Sequence, residues 1–280
     1  MTDLATAAVT IHRISTRLGA LHVNAVGTGR PALLWHGMFV DGDSWQRMSP
    51  RLAAERRLIV VDGPGHGRSD PLRRDTTVDE CAAVAAEVLD ALRITDPVDW
   101  VGNAWGGHVG LAVARRDRSR LRSLVAVSSP PAPIGADLRR KIGLLGPLLR
   151  IVGFRGPVLD GVLSSQLSDA GRADAQIAAT MATMLRRARP ASMSRALRSF
   201  VLSRTDVTPT LSQLTVPTLF VGTDDRGEFG AEQAQDAARR TPDARAAVIT
   251  GARTLAPLEQ PDRLASEILG FWHVVDGSAR

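Results

Sequence analysis

The sequence predicts an α/β protein with one mostly parallel, twisted sheet, helices on both faces and a helical insertion. Three observations carry this. Short apolar, β-branched runs alternate with helical patterns from residue 10 onward, which is how strands buried on both faces and joined by crossover helices read. The strand signal stops after Pro130-Pro131 for about 75 residues, longer than an ordinary connection. It then resumes, and 280 residues suffice for one such core.

Two polar-punctuated strands, near Val9–Ser15 and Leu21–Val26, form an opening hairpin across Arg17-Leu18-Gly19-Ala20. Buried strands follow at Ala32–Trp35, Leu58–Val61, Asp99–Val101 and Ser123–Val127, separated by helices at Ser44–Ala54, Val78–Leu92 and Trp105–Arg115. Ser44 fits the N-cap of the first of these. In the insertion, Ile142–Phe154 is apolar but broken by Gly143, Gly146, Pro147 and Gly153, while Ala175–Leu185 and Met193–Leu202 keep helical spacing. The alternation resumes at Pro217–Val221, with a helix near Ala231–Arg240, a strand at Ala246–Ile249 and a final helix Pro261–Val274. The expected organisation is a core of residues 1–130 and 206–280 and a helical lid of residues 131–205.

Composition narrows the function classes. With 44% hydrophobic and 23% charged residues the chain reads as globular. No apolar run reaches spanning length without Arg, Gly or Pro, so no stable membrane insertion is expected. Met1–Ala5 has no basic segment leading into an apolar one, and the lone Cys81 excludes an internal disulfide; both fit a cytoplasmic location. Of the net charge of +6, the excess lies between Pro131 and Thr205, with twelve basic residues against four acidic ones. A basic patch attracts anions. No nucleic-acid motif accompanies it and the chain has no tyrosine, so a solvated helical surface is expected, with an anionic ligand second.

Three segments carry chemistry. Leu33-Leu34-Trp35-His36-Gly37-Met38 is a strand ending in His-Gly. Val60-Val61-Asp62 runs into the glycine-rich turn Gly63-Pro64-Gly65-His66-Gly67. Gly102-Asn103-Ala104-Trp105-Gly106 has the glycine spacing of a G-x-S-x-G elbow, with a methyl group where the serine belongs. Together these closely resemble the α/β-hydrolase superfamily over nearly the whole chain.

The resemblance implies an α/β-hydrolase fold and an oxyanion hole made by the backbone N–H groups of Met38 and Trp105. It places the family's acid at Asp225, after Leu219-Phe220-Val221-Gly222-Thr223-Asp224. It places the family's histidine at Thr254, aligned both on Gly251 and on Pro257-Leu258-Glu259-Gln260-Pro261, with Arg253 before it instead of glycine. Threonine accepts no proton near neutral pH, so nucleophile and base are both missing. The expected site is therefore Asp225 as surviving acid, Ala104 and Thr254 as substituted positions, and His36, Trp105, Arg253, Leu144 and Met181 as ligand-binding residues. No zinc-type spacing, P-loop or dinucleotide fingerprint appears, so no cofactor and no metal are expected; the lid's apolar residues and Arg253 suggest a small apolar or partly anionic ligand, no nucleic-acid partner is expected, and the oligomeric state stays open.

The reading this suggests is a non-hydrolytic enzyme of lyase, cyclase or isomerase type, using oxyanion amides, a lidded apolar pocket and Asp225. A catalytically inactive binding protein is one alternative. Another is an ester or C–C hydrolase whose nucleophile was exchanged for Ala104, or which uses a different one.

Overall fold

The structure is a computed structural model that describes residues 8–278; the opening residues Met1–Ala5 lie outside them. In chain order the elements are β1 (Thr10–Thr16), β2 (Gly19–Val26), β3 (Pro31–Trp35), α1 (Ser49–Ala53), β4 (Arg57–Val61), α2 (Val78–Ala91), β5 (Val98–Asn103), α3 (Trp105–Arg116) and β6 (Leu121–Val127). The insertion supplies α4 (Ala136–Val152), α5 (Gly156–Gln166), α6 (Asp169–Ala173), α7 (Ala175–Arg187) and α8 (Pro190–Ala196), the last running into a π-helical turn at Leu197–Leu202. The chain returns with β7 (Thr218–Thr223), α9 (Ala231–Arg240), β8 (Ala244–Ile249), α10 (Ala256–Glu259) and α11 (Pro261–Ser278).

The eight strands form one sheet in the order β1-β2-β4-β3-β5-β6-β7-β8. Only β2 runs against its neighbours, and every pairing from β4 through β8 is parallel. One face packs Trp35, Trp100 and Leu124 against α2, α3 and the insertion. The other packs Trp45, Val101 and Val127 against α1 and α11. Strand order changes direction around β3, and in open α/β sheets ligands bind beyond the carboxyl ends of strands at such a reversal. Register places Trp35 beside Gly102, so the loops after β3 and β5 leave the sheet side by side.

Two local expectations differ. The first helix is split, a 3₁₀ turn at Gly42–Trp45 preceding α1, and Asp41 rather than Ser44 caps it by accepting from Asp43 N–H. Gly143, Gly146 and Pro147 do not break α4, which is continuous from Ala136 to Val152 and ends, as expected, at Gly153; Leu149 is buried and Gly146 lies against Ser194 of α8, so packing overrides weak propensity. The capping box at the start of α2, Thr77 with Glu80, fixes that helix where its spacing placed it.

Candidate active site

The turn after β5 keeps the strained geometry of a nucleophile elbow. Ala104 sits at φ 50°, ψ −117°, a conformation L-residues rarely adopt. Close approach enforces it. A Cβ on Gly106 would collide with the carbonyl of Trp35, and one on Gly102 with the carbonyl of Gly106. The turn is further held by Ala104 N–H donating to Val127 O at 2.8 Å and by the Ser129 hydroxyl donating to Ala104 O at 2.9 Å. Ala104 is half-buried between fully buried neighbours.

Met38 and Trp105 are buried, and among the described residues their N–H groups meet no protein acceptor. Trp105 N–H opens α3, where unpaired amides and the helix dipole favour negative charge. Its indole is clamped, stacked on Phe200 at 4.4 Å and on His66 at 5.1 Å, with Trp35 edge-on at 5.6 Å. That clamp fixes the direction of the backbone amide.

The turn before α10 is brought to the elbow by Asn103, whose side-chain amide donates to Thr254 O at 2.8 Å. Thr254 is thus adjacent to the Ala104 turn. Its N–H and that of Leu255 both donate to Gln166 O of the insertion. Asp225 follows β7 and its N–H donates to Ala252 O. Its carboxylate is occupied: Oδ2 accepts from Arg253 Nη2 at 3.0 Å and Oδ1 from Arg226 Nε at 3.2 Å. Arg253 is buried, and its other donors reach Asp225 O and Ser164 O of α5. Instead of facing a ligand, its guanidinium joins the acid position to the insertion.

His36 does not face the pocket. It is fully buried, donates from Nδ1 to Gly37 O and accepts at Nε2 from Gly63 N–H. Burial lowers its pKa to about 4, and burial with the neighbouring His36 lowers that of His66 to about 3. Both rings are neutral near pH 7 and brace their loops. His108 is neutral for the same reason, its pKa lowered to about 3 by burial and then by Arg204, and its Nε2 meets Pro130 O.

A cavity of about 550 Å³ lies within the insertion, lined by Phe154, Leu159, Leu163, Leu167, Met181 and Leu185, with Arg155, Arg172 and Arg186 in its walls. Two contacts join it to the elbow region: Phe154 meets Phe39 at 6.3 Å, and Leu167 follows the carbonyl that holds Thr254. Met181 lines the cavity, whereas Leu144 stands on the outer face of α4, 72% exposed. The apolar run Ile142–Phe154 did not tell which of its leucines meets solvent.

Two groups escaped the sequence reading. Asn103 stood out only as an amide inside an apolar strand. Asp41, fully buried, pairs with Arg187 of α7 at 2.8 Å, and Arg187 also reaches Asp43 at 2.6 Å. Burial, then the nearby Asp62, raises the Asp41 pKa to about 6.

Fold and elbow define a class, and sequence comparison agrees with them. The chain belongs to the alpha/beta hydrolase family, whose model matches residues 32–267. Its relatives include a pimeloyl-[acyl-carrier protein] methyl ester esterase of Xanthomonas axonopodis pv. citri, 27% identical over 256 residues, which are 90% of this chain and 98% of the relative. Among solved structures, a thermophilic esterase from Thermogutta terrifontis superposes with a TM-score of 0.85 at 25% identity, covering 96% of this chain and 99% of that one. An enol-lactonase from Burkholderia xenovorans superposes at 0.82 with 17% identity, over 94% of this chain and 100% of that one, a likeness of fold. These findings correct the expected activity. Relatives named as esterases point to hydrolysis, and overturn both the lyase-, cyclase- or isomerase-type enzyme and the inactive binder inferred from the missing serine and histidine.

Proposed function

We propose that this chain is a carboxylic ester hydrolase with a helical lid over an apolar acyl pocket. The observation that carries the reading is the elbow itself: Ala104 retains its strained φ of 50° beside two free, buried oxyanion donors although no hydroxyl there requires it. In this reading an ester carbonyl oxygen lies between Met38 N–H and Trp105 N–H, and an apolar chain occupies the cavity around Leu163 and Met181. Arg155 and Arg186 in the cavity walls favour an anionic group elsewhere on the substrate.

No acyl-enzyme forms at Ala104. Water takes the space above its methyl group and adds to the carbonyl carbon, giving up one proton to bulk water. The two amides stabilise the oxyanion, and the carbonyl re-forms as the alcohol leaves with a proton from solvent. Enzymes stripped of their whole triad keep about 10³–10⁴-fold acceleration over water through oxyanion donors and binding, and an acceleration of that size is expected here.

The test is hydrolysis of p-nitrophenyl esters of increasing acyl length, alongside the variant Ala104→Ser/Arg253→Gly/Thr254→His. The Arg253→Gly change is needed because Arg253 holds the Asp225 oxygen that an imidazole at position 254 would use. Slow cleavage by the unmodified chain is expected, with at least about a hundredfold gain in kcat in the triple variant, within the effect of general-base catalysis, and stoichiometric labelling by a fluorophosphonate. No cleavage above buffer by the unmodified chain, with a folded triple variant that is neither faster nor labelled, would refute the reading.

A further inference from the structure

Large exposed apolar side chains concentrate on one helix. Leu144, Leu148, Ile151 and Val152 of α4 are 72%, 46%, 83% and 39% exposed, and only Val9, Ile11 and Val274 share that status among the described residues. Their spacing of four, three and one residues places all four on one side of the helix. Gly146 and Leu149 are the buried side. The stripe is not a packing remnant of the core, because nothing among the described residues covers it.

Basic residues frame it. Arg139, Arg140 and Lys141 lie at its amino end and Arg155 just beyond its carboxyl end, while Arg150 faces away from it; all five are exposed. Arg140 is paired with Asp137, and both are largely in solvent. Among the described residues no carboxylate stands within ion-pair distance of the remaining four. The stripe also runs into the cavity mouth, since Val152, Phe154 and Arg155 belong to the cavity lining.

We propose that α4 docks the protein on an anionic lipid surface. Leu144, Leu148 and Ile151 enter the boundary between headgroups and acyl chains, while Lys141 and Arg155 meet lipid phosphates. An aliphatic stripe edged by cations is the pattern of a helix lying in a membrane interface. The apolar centres of protein–protein interfaces are instead enriched in aromatic residues, and the α4 stripe has none. Docked this way, the cavity opens toward the bilayer at Val152–Arg155, so an acyl chain passes from lipid to pocket without crossing water. The docking rests on the surface of α4 and stands whether or not the ester reading does.

Sedimentation of the full chain with vesicles tests it, comparing phosphatidylcholine alone with phosphatidylcholine doped with phosphatidylglycerol. Binding to the anionic vesicles is expected, about tenfold weaker on neutral ones and weakened similarly by molar salt. Leu144→Ser/Ile151→Ser and, separately, Lys141→Glu/Arg155→Glu should each reduce it by at least about tenfold. All four sites are exposed, so unchanged thermal melts are expected and would separate lost docking from lost folding. Absence of binding to either vesicle, or binding that both double variants retain, would overturn the proposal. So would light scattering that shows a dimer dissolved by Leu144→Ser/Ile151→Ser, or α4-dependent capture by an acidic carrier protein without vesicle binding.

Discussion

At the scale of the residue, Ala104 concentrates the chemistry of this molecule in one unfavourable pair of dihedral angles. A non-glycine residue there stores roughly 1–3 kcal/mol, and glycine would release it while adding roughly 0.5–1 kcal/mol of unfolded-state freedom. Ala104→Gly is therefore expected to raise stability by about 1 kcal/mol, measured by urea unfolding. A loss of stability would mean that the surrounding contacts, not strain, set the turn. The elbow was legible in the sequence because its glycines are dictated by backbone collisions at fixed offsets. Arg253 was not. A long side chain chooses partners across space, and its carboxylate and carbonyl partners are 28 and 89 residues away. Reading it as a ligand anchor assigned its charge correctly and its direction wrongly.

At the scale of the element, β5 and β6 are pinned at their amino ends by buried charge. Asp99 is fully buried and accepts from Arg56 Nε at 2.8 Å, Arg122 Nη1 at 3.2 Å and the Ser123 hydroxyl at 2.6 Å. Asp276 of α11 pairs with both arginines from the other side. Removing one partner of a buried ion pair strands the others, so Asp99→Ala should cost about 3 kcal/mol in chemical denaturation. Near-native stability would show that Asp276 alone satisfies both guanidinium groups. The strands themselves were readable, since parallel strands buried on both faces appear as continuous apolar runs. Helix limits in the insertion were harder. Gly143, Gly146 and Pro147 signal a break locally, and α4 runs through them because α8 offers it a surface to pack on.

At the scale of the whole molecule, acid should unfold the protein through its interior imidazoles. His36, His66 and His108 have pKa values lowered to about 4, 3 and 3 from 6.5. The unfolded chain therefore binds more protons than the native one below about pH 6.5. Their contribution is complete above that value and lost as the pH falls toward 4 and 3. Asp41, raised to about 6, acts in the opposite sense, its contribution fading as the pH rises through 6. His22, lowered by burial, adds to the three imidazoles, and Glu259, raised by burial, adds to Asp41; the large imidazole shifts predict a melting temperature that declines on acidification from pH 6.5 to 4, followed by differential scanning calorimetry. A flat profile across that interval would contradict the buried, neutral assignment of the rings.

The aromatic clamp around Trp105 has an optical consequence. The chain contains five tryptophans and no tyrosine, so its near-ultraviolet emission arises from indole alone. Trp35, Trp100 and Trp105 lie close enough to exchange excitation, with ring centroids 5.6 and 5.7 Å apart. Trp105 is the member whose backbone faces the proposed carbonyl seat, and it lies flat against an imidazole that would quench it once protonated. Intrinsic fluorescence can thus follow, without any attached dye, the arrival of a molecule at the elbow.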